Sequence, residues 1–178
     1  VLYNNTSGRE NTAAGFEVLT NNTTGVENTA SGSEALNANT TGSLNSAIGT
    51  YTLFHNTVGS FNTAIGHSAL MSNVAGSNAT AIGTNAMVYA NPTSVAYNNY
   101  SVAVGNEALK GSNLASANTG INNTALGSQT LWSNSTGNSN TACGFQAMQD
   151  NSTGGLNTAC GYQAMQHNVS GNNNSAFG

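Results

Sequence analysis

Asn62-Thr63-Ala64-Ile65-Gly66-His67-Ser68-Ala69-Leu70 opens a unit of 17 residues, and copies of that unit make up almost the whole chain. The unit reads Asn-Thr-Ala-x-Gly-x-x-Ala-Leu-x-x-Asn-Thr-Thr-Gly-x-x. Its fifth position is glycine from Gly15 to Gly178, at spacings of 17 broken by two consecutive spacings of 22. Its third position is alanine in every copy, from Ala13 to Ala176, and its ninth is always Leu or Met, from Leu2 to Met165. Self-similarity at a fixed period is the mark of units that bury their apolar residues by stacking on one another.

The period decides the class of stack. Helical repeats need about 33 residues or more, and two glycines with many Asn, Ser and Thr per unit oppose a helix. A short coil of an all-β, parallel β-solenoid (a β-roll) fits instead. Thr-Ala-Ile makes a brief extended run, with glycine at the corner where the backbone must bend. Ala-Leu is expected to begin a second run, and Asn-Thr-Thr-Gly supplies turn chemistry. About ten coils rising about 4.8 Å each give a rod of roughly 45–50 Å. Residues 1–178 read as one repeat domain that starts and stops within a unit, which suggests a segment of a longer fibre. Within it, 79–122 holds the two long coils, whose extra residues follow Met87 and Leu109 and form a lateral bulge.

Stacking turns each position into a column. Adjacent residues of a strand point to opposite faces, so the invariant alanine of the third position and the residue of the fourth cannot share a side. The fourth is mostly apolar: Ile48, Ile65, Ile82, Val104, Leu126, Cys143, Cys160 and Phe177 follow Ala14 and Ser31. A thin coil has one interior, so one of these columns is an exposed stripe, and contiguous apolar stripes mark interfaces. The expected arrangement buries alanine and uses the fourth column for self-association; the reverse, with the fourth position inside, stays open. The twelfth position is largely asparagine, whose stacked amides can donate to one neighbour and accept from the other.

Composition removes whole classes of function. Charged residues are 4% of the chain, against about 25% in a typical soluble domain. Arg9 and Lys110 are the only basic side chains, too few to neutralise nucleic-acid phosphates or to hold anionic lipid. No apolar run reaches the roughly 20 residues of a membrane span. His55, His67 and His167 lie on different coils, and only His167 and Asp150 fall together, too few for a metal site. Glu17 and Glu34 stack on a convex surface without the cleft that acid–base catalysis requires. No enzyme activity and no cofactor are expected.

Three features admit more than one reading. Cys143 and Cys160 share the fourth column on adjacent coils, either as free buried thiols, as a disulfide, or as thiols at an assembly axis. Tyr89, Tyr97 and Tyr100 concentrate at the first bulge, either as a binding surface or as a cap that seals the bulge onto the rod. Asn78 and Asn99 are sequons outside the asparagine column and stand as candidate glycosylation sites.

Ser101-Val102-Ala103-Val104-Gly105-Asn106-Glu107-Ala108-Leu109 and the Asn62–Ala69 stretch resemble the head repeats of YadA-like trimeric autotransporter adhesins. Similar Asn-Thr-Ala-x-Gly-x-x-Ala-Leu repeats occur in phage and viral tail-fibre proteins. The unit here is three residues longer than that family's, and threonine often replaces its valine. The resemblance implies a left-handed parallel β-roll in which three chains pack side by side, with the fourth column facing the trimer. It also implies an extracellular, cell-surface or virion location, and attachment to a surface glycan or protein receptor. A separate reading comes from the second column, Thr12 to Ser175, a threonine row interrupted at Val102 that could order water or bind ice or glycan.

Overall fold

A computed structural model describes residues 1–178, the side chain of Ser116 aside. Short strands appear once per unit: β1 Thr12–Ala14, β2 Thr29–Ser31, β3 Ser46–Ile48, β4 Thr63–Ile65, β6 Thr80–Ile82 and β8 Val102–Val104. They continue as β9 Thr124–Leu126, β10 Thr141–Cys143, β11 Thr158–Cys160 and β12 Ser175–Phe177. These ten form one parallel sheet in chain order, a β-solenoid. Register keeps like positions together throughout, as in Thr63↔Thr80, Ala64↔Ala81 and Ile65↔Ile82. Two-residue strands β5 Gly76–Ser77 and β7 Tyr97–Asn98 pair beside the main sheet at the first long coil.

Glycine at the fifth position is fixed twice over. Its φ lies in the positive region, +131° at Gly49, which side chains rarely adopt. A Cβ there would also sit 2.8 Å from the Gly66 carbonyl of the next coil. Beyond this corner the chain departs from expectation: Ala-Leu does not begin a second strand. The seventh and ninth positions instead take left-handed φ without glycine, +58° at Glu34 and +51° at Leu36. The seventeenth does the same, +58° at Leu44. Each such residue costs roughly 1–2 kcal/mol of backbone strain. At Leu36 full burial offsets it, since a buried leucine contributes about 1.5–3 kcal/mol. The same turn lets the Leu36 N–H donate to the Thr52 carbonyl of the next coil at 3.0 Å.

The interior combines a narrow apolar cluster with two polar ladders. Third-position alanines, eighth-position residues such as Ala35 and Ala69, and ninth-position leucines and methionines form one buried cluster. The twelfth-position asparagines run beside it: Asn39 Nδ2 donates to Asn22 Oδ1 at 2.8 Å and to the Gly42 carbonyl at 2.9 Å. A second ladder runs along the first position, where Asn45 donates its amide to Asn28 Oδ1 at 3.1 Å and its backbone N–H to the same oxygen at 3.0 Å. The Gly42 carbonyl also accepts from Asn28 Nδ2 at 2.9 Å, so it joins both ladders. Glycine at this fifteenth position is required by crowding, because a Cβ on Gly42 would run into the Asn39 amide oxygen and the Gly59 carbonyl.

The long coils interrupt both ladders, and at the first position Ala79 and Ser101 replace asparagine. Ala90 takes the place of the twelfth asparagine, and the buried Asn73 Oδ1 beneath it has no partner. One coil on, Asn118 ties the second bulge down: its Nδ2 donates to the Tyr89 and Ser112 carbonyls, and its Oδ1 accepts the Ser112 N–H at 2.8 Å. Both bulges lie on the same side of the rod, where Pro92 and Ala115 border one groove with His55 and Ser72.

Candidate functional site

Strand alternation places the two central columns on opposite sides. Ala64 is fully buried, whereas Ile48 is 46% and Phe177 76% exposed, and Ile65, Val104 and Leu126 are exposed as well. Ile82 is half-buried on the same outward face. The reverse arrangement, with the fourth position inside, is thereby excluded. Outward with the fourth column stand the second-position threonines, from Thr12 to Thr158. Neither column contains a charged side chain. Apolar residues extend the face at some rungs, through Leu44, Phe61 and Leu156 at the seventeenth position and Phe16, Phe145 and Tyr162 at the sixth, although exposed Glu10 and Glu27 share the seventeenth column. The Phe145 and Tyr162 rings stack with centroids 5.7 Å apart.

Cys143 and Cys160 lie in this outward column. Both are free, Cys143 exposed and Cys160 half-buried, which corrects their reading as buried thiols. Their strands are in direct register, Cys143 opposite Cys160.

The tyrosines of the first bulge do not share one surface. The Tyr97 ring folds back over Gly76, where a Cβ would meet it at 2.7 Å. Burial pushes its phenol above the ordinary value, partly countered by a hydrogen bond with Asn99. Tyr100 stands exposed on the flank of the strand face, in the seventeenth column, and the Tyr89 carbonyl accepts from Asn118. Of the two sequons, Asn78 is half-buried and its Nδ2 donates to Asn98 Oδ1 at 2.9 Å. Asn99 is 5% exposed, and its Oδ1 accepts the Ser101 N–H at 3.1 Å, so a glycan there has no room. Burial thus removes Asn99 as an acceptor.

A compact charged group at the seventh and tenth positions of the second long coil and its successor went unnoticed in the sequence. Lys110 Nζ lies 2.8 Å from Glu107 Oε1 and 5.0 Å from the centre of the Trp132 ring on the next coil. The bond from Lys110, with a second from Gln129 Nε2 at 3.1 Å, holds the Glu107 carboxyl below the usual carboxylate range. Trp132 and Ser133 border a groove with Gly111, Ser112 and Asn113 of the second bulge. His167 Nδ1 and Asp150 Oδ2 meet at 2.6 Å on the surface, as their shared column implies.

Among the described residues no three metal-ligating side chains gather, and no helix is long and apolar enough to cross a membrane. Comparison with family models, with curated proteins and with solved structures yields no match.

Proposed function

We propose that the chain is a stretch of a stiff extracellular fibre, on a cell surface or virion, that associates with copies of itself along the strand face and serves attachment or display. The observation that carries this reading is the uncharged fourth column, outward on ten consecutive rungs, apolar from Ile48 to Phe177, and widened at some rungs by apolar residues beside it. An exposed apolar patch of that extent favours covering by another surface. Three chains side by side is the arrangement implied by the YadA-like repeats. A receptor glycan or protein would meet the rod at the bulges beside Trp132, where the repeat is interrupted. Light scattering at several concentrations tests the association: a stable trimer supports it, and a monomer at every concentration overturns it.

The threonine row favours a second reading. Thr12, Thr29 and Thr141 stand outward on a sheet whose rungs repeat at one spacing, a pattern suited to ordering water. Their fourth-column neighbours weaken it, as does Val102 within the row. A freezing-hysteresis assay at high concentration decides it, and absence of hysteresis rejects it.

A further inference from the structure

We infer that Cys143 and Cys160 form a two-coordinate site for a soft monovalent cation of the cuprous type. The two residues are paired across neighbouring parallel strands and their side chains leave the sheet on the same, solvent-facing side. In a parallel sheet the side chains of such a pair stay about as far apart as the strands, about 4.8 Å. A disulfide needs its Cβ atoms at about 3.8 Å, so bridging requires the rungs to pinch together. Neighbouring rungs cannot close up freely, because hydrogen bonds around the coil fix their spacing. Between these two rungs the Gly161 N–H donates to Cys143 O at 2.8 Å, and the Asn157 and Asn168 amides donate to Asn140 Oδ1 at 3.1 Å and to Asn151 Oδ1 at 3.0 Å.

A thiolate–metal bond is about 2.3 Å, so two such bonds in line span about 4.6 Å, close to the strand spacing. Matching rotamers on the two rungs would present the sulfurs at the separation that a linear S–M–S unit requires. Thiolates select the soft cuprous ion over harder cations. No other ligating side chain is at hand to complete a four-coordinate zinc site, since among the described residues no group of three forms. Leu126 and Phe177 occupy the same column on either side of the pair and offer no competing donor. Binding replaces two S–H protons by one cation: two thiols and M⁺ give an anionic bis-thiolate and release two protons, with no change of oxidation state. The site is complete within one chain and does not rest on self-association.

The test is anaerobic titration of the whole chain with Cu(I) supplied as its bicinchoninate complex, read as the loss of that complex's colour. One ion withdrawn per chain, with affinity at least tenfold weaker in Cys143→Ser and in Cys160→Ser, is the expected result. A relocated pair controls for damage to the fold: Leu126→Cys combined with Cys160→Ser places two thiols on the neighbouring rungs of β9 and β10 and restores binding. No withdrawal of copper, equal binding by either single variant, or one ion shared among several chains overturns the assignment.

Discussion

At the residue scale the rod runs on side chains placed where backbone preference opposes them. Leu19, Leu36, Leu53 and Leu70 all hold left-handed φ near +50° while wholly buried. Burial compensates at the ninth position but does little at the seventh, where Glu34 is half-exposed at φ +58°. Asn85 holds the same conformation in the same column, and asparagine tolerates it better than glutamate. Glu34→Asn is therefore expected to raise stability by up to about 1 kcal/mol in denaturant melts. The buried amides work in the opposite direction. Asn39→Ala leaves Asn22 Oδ1 without a partner and removes one of the two bonds made by the Gly42 carbonyl and by the Asn56 amide, which keep Asn28 and Gly59. With a buried group left unsatisfied costing about 1–3 kcal/mol, a loss in that range is expected in the same melts. The twelfth-position ladder is legible in the sequence because like residues recur there. The left-handed positions are not, since Glu, Gln and Leu carry none of the usual signals for that conformation.

At the scale of the element, a three-residue strand is enough because its neighbours repeat it in register. Inward alanine sets how closely the opposite wall approaches, and the outward residue is free to vary from Ala14 to Phe177. That asymmetry separates two adjacent substitutions. Ala64→Leu inserts volume into a filled interior and is expected to lower the melting free energy by about 1–3 kcal/mol or more. Ile65→Thr, one residue on and facing out, is expected to change the stability of an isolated chain by less than about 0.5 kcal/mol. Equal losses at both positions would contradict the inside–outside assignment. The alternation itself is legible from the sequence, as is glycine at the corner. The missing second strand is not, because Ala-Leu reads as an apolar run whether it is extended or, as here, folded into a turn. The first-position asparagine ladder escaped for a related reason: those residues resemble an ordinary strand-leading turn until the 17-residue stack brings Asn28 beneath Asn45.

For the whole molecule, the rise from coil to coil sets every other property: the ladders, the continuity of the outward stripe and the sulfur spacing of Cys143 and Cys160. The repeat made the solenoid legible, and the two spacings of 22 residues located the bulges. The fates of Tyr97 and Asn99 were not legible, since packing against Gly76 and inward turning of an amide depend on how the bulge folds back. The most direct measurement is the distance between two spin labels by pulsed electron resonance, at Thr24→Cys and Thr136→Cys in a Cys143→Ser, Cys160→Ser background. Both positions are exposed and share the fourteenth column, six coils apart. In-register stacking through both long coils requires a narrow distribution centred at about 29 Å. A broad distribution, or a centre well removed from that distance, would contradict the continuous rod.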